Sequence, residues 1–65
     1  MYTYDKEYDA ARRIANLAKS FDVSIDHITR VYRKHSYTIP KLTSEQQNTL
    51  AEKTNFTIEE IARNF

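Results

Sequence analysis

Few residues of this chain are of types that carry out chemistry, and their spacing narrows what that chemistry is. His27 and His35 are the only histidines, eight residues apart, and there is no cysteine. Such a pair suits no compact metal site, so neither a metal nor a cofactor is expected. Asp22 or Asp26 beside His27 brings acid and base side chains close in sequence, but pairs of this kind are ordinarily helix surface. No nucleophile elbow, glycine-rich phosphate loop or carboxylate dyad accompanies them, and a chain of 65 residues leaves little room for a sizeable pocket. No enzyme is expected. The five tyrosines are spread over the start of the chain, the helices and the connector, which favours core packing or a dimer seam over a stacking platform for single strands. What remains is a short stretch holding Ile25, Thr29, Arg30 and Arg33, side chains able to read the base edges of a duplex. Lys34, Arg12 and Arg13 stand nearby as candidates for phosphate contact.

These residues need helices to position them. Leu17, Ala18 and Phe21 share one helical face, because spacings of three and four residues stack side chains. Asp22 sits where a corner needs positive φ, which Asp and Asn tolerate better than most other residues with a Cβ. Ser24 can cap the next helix through its hydroxyl, and Ile28 and Val31 recur at helical spacing. Asp5 can cap the first helix, after a short aromatic arm from Met1 to Tyr4. Pro40 disfavours helix at Ile39 and ends any continuation. Thr43 with Gln46, and Thr57 with Glu60, fit capping boxes in which side chain and backbone satisfy each other's orphan groups. Asn55 is the second corner. The spacing predicts helices near 5–21, 24–35, 44–54 and 57–64, with no sheet. The expected core is Ile14, Leu17, Phe21, Val23, Ile28, Val31, Leu42, Leu50, Phe56 and Ile61, and Phe21→Ala is expected to cost about 3–5 kcal/mol.

The order Leu17-Ala18, three residues, Asp22, Val23-Ser24, three residues, Ile28-Thr29-Arg30 resembles the helix-turn-helix of phage repressors and Cro-like regulators over residues 14–35. The family's usual glycine is replaced by Asp22. The resemblance implies double-stranded DNA binding, with helix 24–35 in the major groove. It carries over to Ser24, Ile25, Asp26, Thr29, Arg30 and Arg33. Under it, Arg30 or Arg33 grips a guanine and Ile25 packs on a thymine methyl. Asp26 accepts from cytosine or simply stabilises the helix N-terminus. Thr29, Lys34, Lys19 and Lys41 are candidates for phosphate contact. For Arg12 and Arg13, phosphate contact competes with an ordinary surface role, such as pairing with Asp9.

Laid over itself with Leu17 on Leu50, the chain partly matches itself. Leu17-Ala18 falls on Leu50-Ala51, Asp22 on Asn55, Val23-Ser24-Ile25-Asp26 on Phe56-Thr57-Ile58-Glu59, Ile28 on Ile61 and Arg30 on Arg63. The expected architecture is therefore all-α: one helical domain of four short helices forming two packed helix-turn-helix units, 1–35 and 43–65, joined by a connector at 36–42. In the second copy Thr54 and Asn64 replace Phe21 and Val31, which predicts a poorer core stripe. The segment from Leu42 to Ala62 also looks like the promoter-reading helix-turn-helix of sigma factors through Thr57, Glu60, Ile61 and Ala62. Glu59 and Glu60, however, would repel phosphates, so this copy reads as scaffold or protein contact.

Bulk composition bounds the rest. A chain of this size buries only about 60% of its unfolded surface, and no disulfide can staple it. The absence of glycine favours helices. No apolar run is long enough to span a bilayer, so a cytoplasmic location without membrane contact is expected. The net charge of +1 divides into +3 over residues 1–42 and −2 over residues 43–65, so a polyanion should prefer the first part. Two functions follow. One is a small sequence-specific DNA-binding transcription regulator, of the kind a phage or mobile element encodes, acting as a homodimer. The other is a protein-binding helical module, such as a phage-encoded inhibitor of a host enzyme, resting on the modest net charge, the acidic second copy and exposed tyrosines.

Overall fold

Alanine lines the side of the first helix around which the chain folds. α1 (Lys6–Ser20) buries Ala11, Ala15 and Ala18 beside Ile14, and small side chains let neighbouring helices approach closely. α2 (Ile25–Lys34), α3 (Ser44–Thr54) and α4 (Ile58–Asn64) complete an all-α structure of four helices. The computed structural model describes residues 6–65. The expected aromatic arm and the Asp5 cap lie outside the described residues.

Each pair of helices is joined by the corner chemistry that the sequence predicts. Asp22 has φ 55° and Asn55 φ 66°, both left-handed. At the first corner the Val23 N–H donates to the Ala18 carbonyl at 2.9 Å. Ser24 caps α2 by accepting from the His27 N–H at 3.1 Å. Thr43 and Thr57 form complete capping boxes with Gln46 and Glu60. A third left-handed residue, Ser36 (φ 64°), follows the end of α2, and its residue type gives no sign of it. The connector then turns back. Tyr37 packs its ring on Tyr32 with centroids 5.4 Å apart, Ile39 and Pro40 lie half-buried, and the N–H of buried Leu42 donates to the Phe65 carbonyl at 3.3 Å.

The hairpins α1–α2 and α3–α4 stack so that α1 meets α3 and α2 meets α4. Each helix of the first pair thus packs on its own counterpart in the internal repeat. The core contains the expected Ile14, Ile28, Leu42, Leu50 and Ile61, and also Ile25. Leu17, Val23 and Phe56 are partly buried against it. Two expectations fail. Phe21 is 67% exposed and Val31 39% exposed. α2 turns the flank bearing Ile25 and Thr29 towards α4, which leaves Val31 on its opposite flank without cover, and Phe21 stands exposed just past the end of α1. The second hairpin inverts the pattern, because its counterparts Thr54 and Asn64 are buried at 7% and 6% exposure. The second hairpin has the poorer apolar stripe that the sequence predicts, its helices burying only Leu50 and Ile61 of their apolar side chains, and it fills the remaining buried positions with polar residues held by hydrogen bonds.

Candidate functional site

Burial divides the residues of α2 into two groups. Ile25 and Thr29 are both 0% exposed. A side chain with no accessible surface cannot touch a base edge or a phosphate, so neither the thymine contact expected of Ile25 nor the DNA contact expected of Thr29 is open to the folded chain. The reason is α4. The Thr29 hydroxyl donates to Asn64 Oδ1 at 2.7 Å, with the Asp26 carbonyl oxygen 3.1 Å away. Asn64 Nδ2 donates to the Asp26 carboxylate and to the Glu60 carbonyl at 2.8 Å. Arg63 closes the seam, its Nη1 lying 3.3 Å from Asp26 Oδ2. Asp26 is thus spoken for by the second hairpin and is not poised to accept from cytosine.

The other flank of α2 is open. His27, Arg30, Val31 and Lys34 follow one another at helical spacing and all are exposed, as is Arg33 beside them. Ser24 is exposed, but its hydroxyl is engaged in capping. Arg30, Arg33 and Lys34 make no ion pair among the described residues. On α1 the two arginines share one carboxylate: Asp9 lies 3.0 Å from Arg13 and 3.7 Å from Arg12. That supports the ordinary surface role for both, at exposed positions where such pairs contribute little. Lys19 and Lys41 are exposed.

Beside this open flank runs a groove of 470 Å³ between α1 and α2, lined by Arg13, Asn16, Leu17, Ser20 and Tyr32. It is shallow and offers apolar contact with a polar rim, not an enclosed reaction chamber. Among the described residues no group of His, Asp and Glu side chains is arranged to hold a metal ion, and no helix is long and apolar enough to cross a membrane. On α4 Ile58 stands 43% exposed, with Glu59 next to it and Ala62 one turn on, both exposed.

Sequence reasoning missed Asn64 as the residue that seals α2, and missed Phe21 and Val31 as surface. The signal was present in the repeat. A polar Asn64 at the position of Val31 marks a face buried in one copy and differently used in the other. No protein-family model, curated protein or solved structure matches the chain.

Proposed function

We propose that this chain is a helical protein-interaction module, docking through the open flank of the first hairpin. A single observation supports this function above DNA reading. Of the positions through which a helix-turn-helix would meet bases, Ile25 and Thr29 are buried and Asp26 is bonded to α4, while Phe21 and Val31 stand exposed, each next in the chain to a residue, Ser20 or Tyr32, that lines the groove. Exposed aromatic and aliphatic side chains ringed by arginine and lysine have the composition of a protein-binding patch.

Binding of double-stranded DNA is kept as a second reading because Arg30, Arg33 and Lys34 form an exposed basic stretch with no carboxylate against it among the described residues. In that case contact is with phosphates, through the C-terminal half of α2, and affinity falls steeply with salt. A photo-crosslinking residue placed at Val31, in lysate with and without nuclease, separates the two. Adducts to protein that survive nuclease are the expected result. Adducts only to nucleic acid, together with salt-sensitive binding of random duplexes that Arg30→Ala/Arg33→Ala abolishes, would replace the module by a DNA-binding protein.

A further inference from the structure

The seam between the two hairpins joins two different faces, and each of those faces has an uncovered counterpart on the outside of the molecule. The first hairpin contributes Ile25, Asp26 and Thr29 to the seam, and the second contributes Asn64 and Arg63. Moving the first set forward by one repeat gives Ile58, Glu59 and Ala62, which are exposed. Moving the second set back gives Val31 and Arg30, also exposed. The same shift relates Thr54, 7% exposed, to Phe21, 67% exposed. Among the described residues, the exposed Val31 and Ile58 therefore belong to one or other half of an interface already built once inside the chain, and Phe21 is the exposed counterpart of a buried position.

The pairing is complementary in charge and in polarity. Inside the molecule Asp26 meets Arg63 at 3.3 Å. Their counterparts are Glu59 and Arg30, opposite in sign in the same sense, and neither makes an ion pair among the described residues. The internal hydrogen-bonded pair, Thr29 with Asn64, corresponds to Ala62 with Val31, so a contact between copies is apolar where the internal one is polar. Each helix of the first hairpin also meets its repeat counterpart in the second, α1 on α3 and α2 on α4, and at the α2–α4 contact the residues used are not equivalent ones, Asp26 and Thr29 on one side and Arg63 and Asn64 on the other.

Resting on the interaction reading above, we propose that the partner on the open flank is a second copy of this chain. The outer face of its α4 (Ile58, Glu59, Ala62) docks on Phe21, Arg30 and Val31, continuing the stacking of hairpins from one molecule to the next. Such an interface is heterologous: each copy offers one face of each kind, so association is head to tail and does not stop at a two-fold dimer unless the rotation closes it. The groove at Leu17 and Tyr32 then becomes part of a continuous helical stack, as in repeat architectures where each unit covers its neighbour.

The test uses the whole chain in sedimentation velocity and light scattering from micromolar to millimolar concentration. The parent is expected to rise in mass from the 7.7 kDa monomer past a dimer. Val31→Asp blocks one face and Ile58→Asp the other; both sites are exposed, and circular dichroism checks that each variant stays helical. Each variant alone is expected to be monomeric, and an equal mixture to pair one to one and stop there, because one working interface remains. Arg30→Glu or Glu59→Arg alone weakens association by roughly tenfold or more, since like charges then face each other, and the double reversal restores it. A parent chain that is monomeric throughout, a mixture that does not pair, or a Val31→Asp variant that still self-associates overturns the proposal. A monomeric parent leaves the interaction module standing if the crosslinker at Val31 still captures other proteins, and removes both if it does not.

Discussion

Replacing Asn64 with valine should unseat the second hairpin from the first. Asn64 is 6% exposed and makes three contacts: it accepts from the Thr29 hydroxyl at 2.7 Å, and it donates to the Asp26 carboxylate and, at 2.8 Å, to the Glu60 carbonyl. In Asn64→Val the Thr29 hydroxyl, itself 0% exposed, loses its best acceptor. Leaving a buried polar group unsatisfied costs about 1–3 kcal/mol. The Asp26 carbonyl, 3.1 Å from Thr29, and the remaining partner Arg63 soften the loss. The expected effect is therefore about 2 kcal/mol, the middle of the range for such a group. For a domain of this size that is a fall in Tm of about 10 °C. Thr29→Ala/Asn64→Val removes both polar groups together and installs the Ala-with-Val combination that Ala62 and Val31 carry on the outer faces. It should recover more than half of the loss, giving a coupling of about 1–2 kcal/mol in a double-mutant cycle. Thermal unfolding followed by circular dichroism measures all four corners of the cycle. An Asn64→Val variant that melts with the parent, or two substitutions that are simply additive, would refute the seam as described.

Other perturbations follow from burial and backbone geometry. Phe21→Ala, at an exposed position, should change stability by no more than about 0.5 kcal/mol, whereas Ile25→Ala, at 0% exposure, should cost about 2–5 kcal/mol; urea denaturation of the pair shows whether the two burials are the right way round. Asp22→Gly should be neutral or stabilising by up to about 1 kcal/mol, because glycine reaches φ 55° without steric penalty, while Asn55→Val should lower Tm, since a β-branched residue resists the left-handed region. Thr57→Ala removes the acceptor for the Glu60 N–H, 3.1 Å away, and should cost about 1 kcal/mol; a melting curve unchanged by it would mean that α4 does not depend on its cap.

What could be seen in the sequence was local. The caps at Ser24, Thr43 and Thr57, the corners at Asp22 and Asn55, and the helix periodicity all act within four or five residues, and each appears in the structure where the sequence predicts it. Which side of each helix is covered is a different question, because it depends on where the other hairpin sits. Phe21 and Val31 fall on the apolar stripe by spacing alone, yet the cover lies on the flank of Ile25 and Thr29. Threonine and asparagine give no apolar signal, so the Thr29–Asn64 contact was invisible to a search for hydrophobic residues. The candidate site shifted for the same reason. The base-facing positions carried by the helix-turn-helix resemblance presume an α2 free on that side, and α4 occupies it.

If the two uncovered faces are halves of one interface, they must respond together. Backbone amide spectra of the isotope-labelled chain, recorded over a dilution series, test this most directly. Shifts that move with a single midpoint at Phe21, Arg30 and Val31 and also at Ile58, Glu59 and Ala62, while Ile25 and Thr29 stay fixed, are the predicted result. Shifts confined to one of the two faces, or a spectrum indifferent to concentration that moves at Arg30, Arg33 and Lys34 when duplex DNA is added, would contradict it.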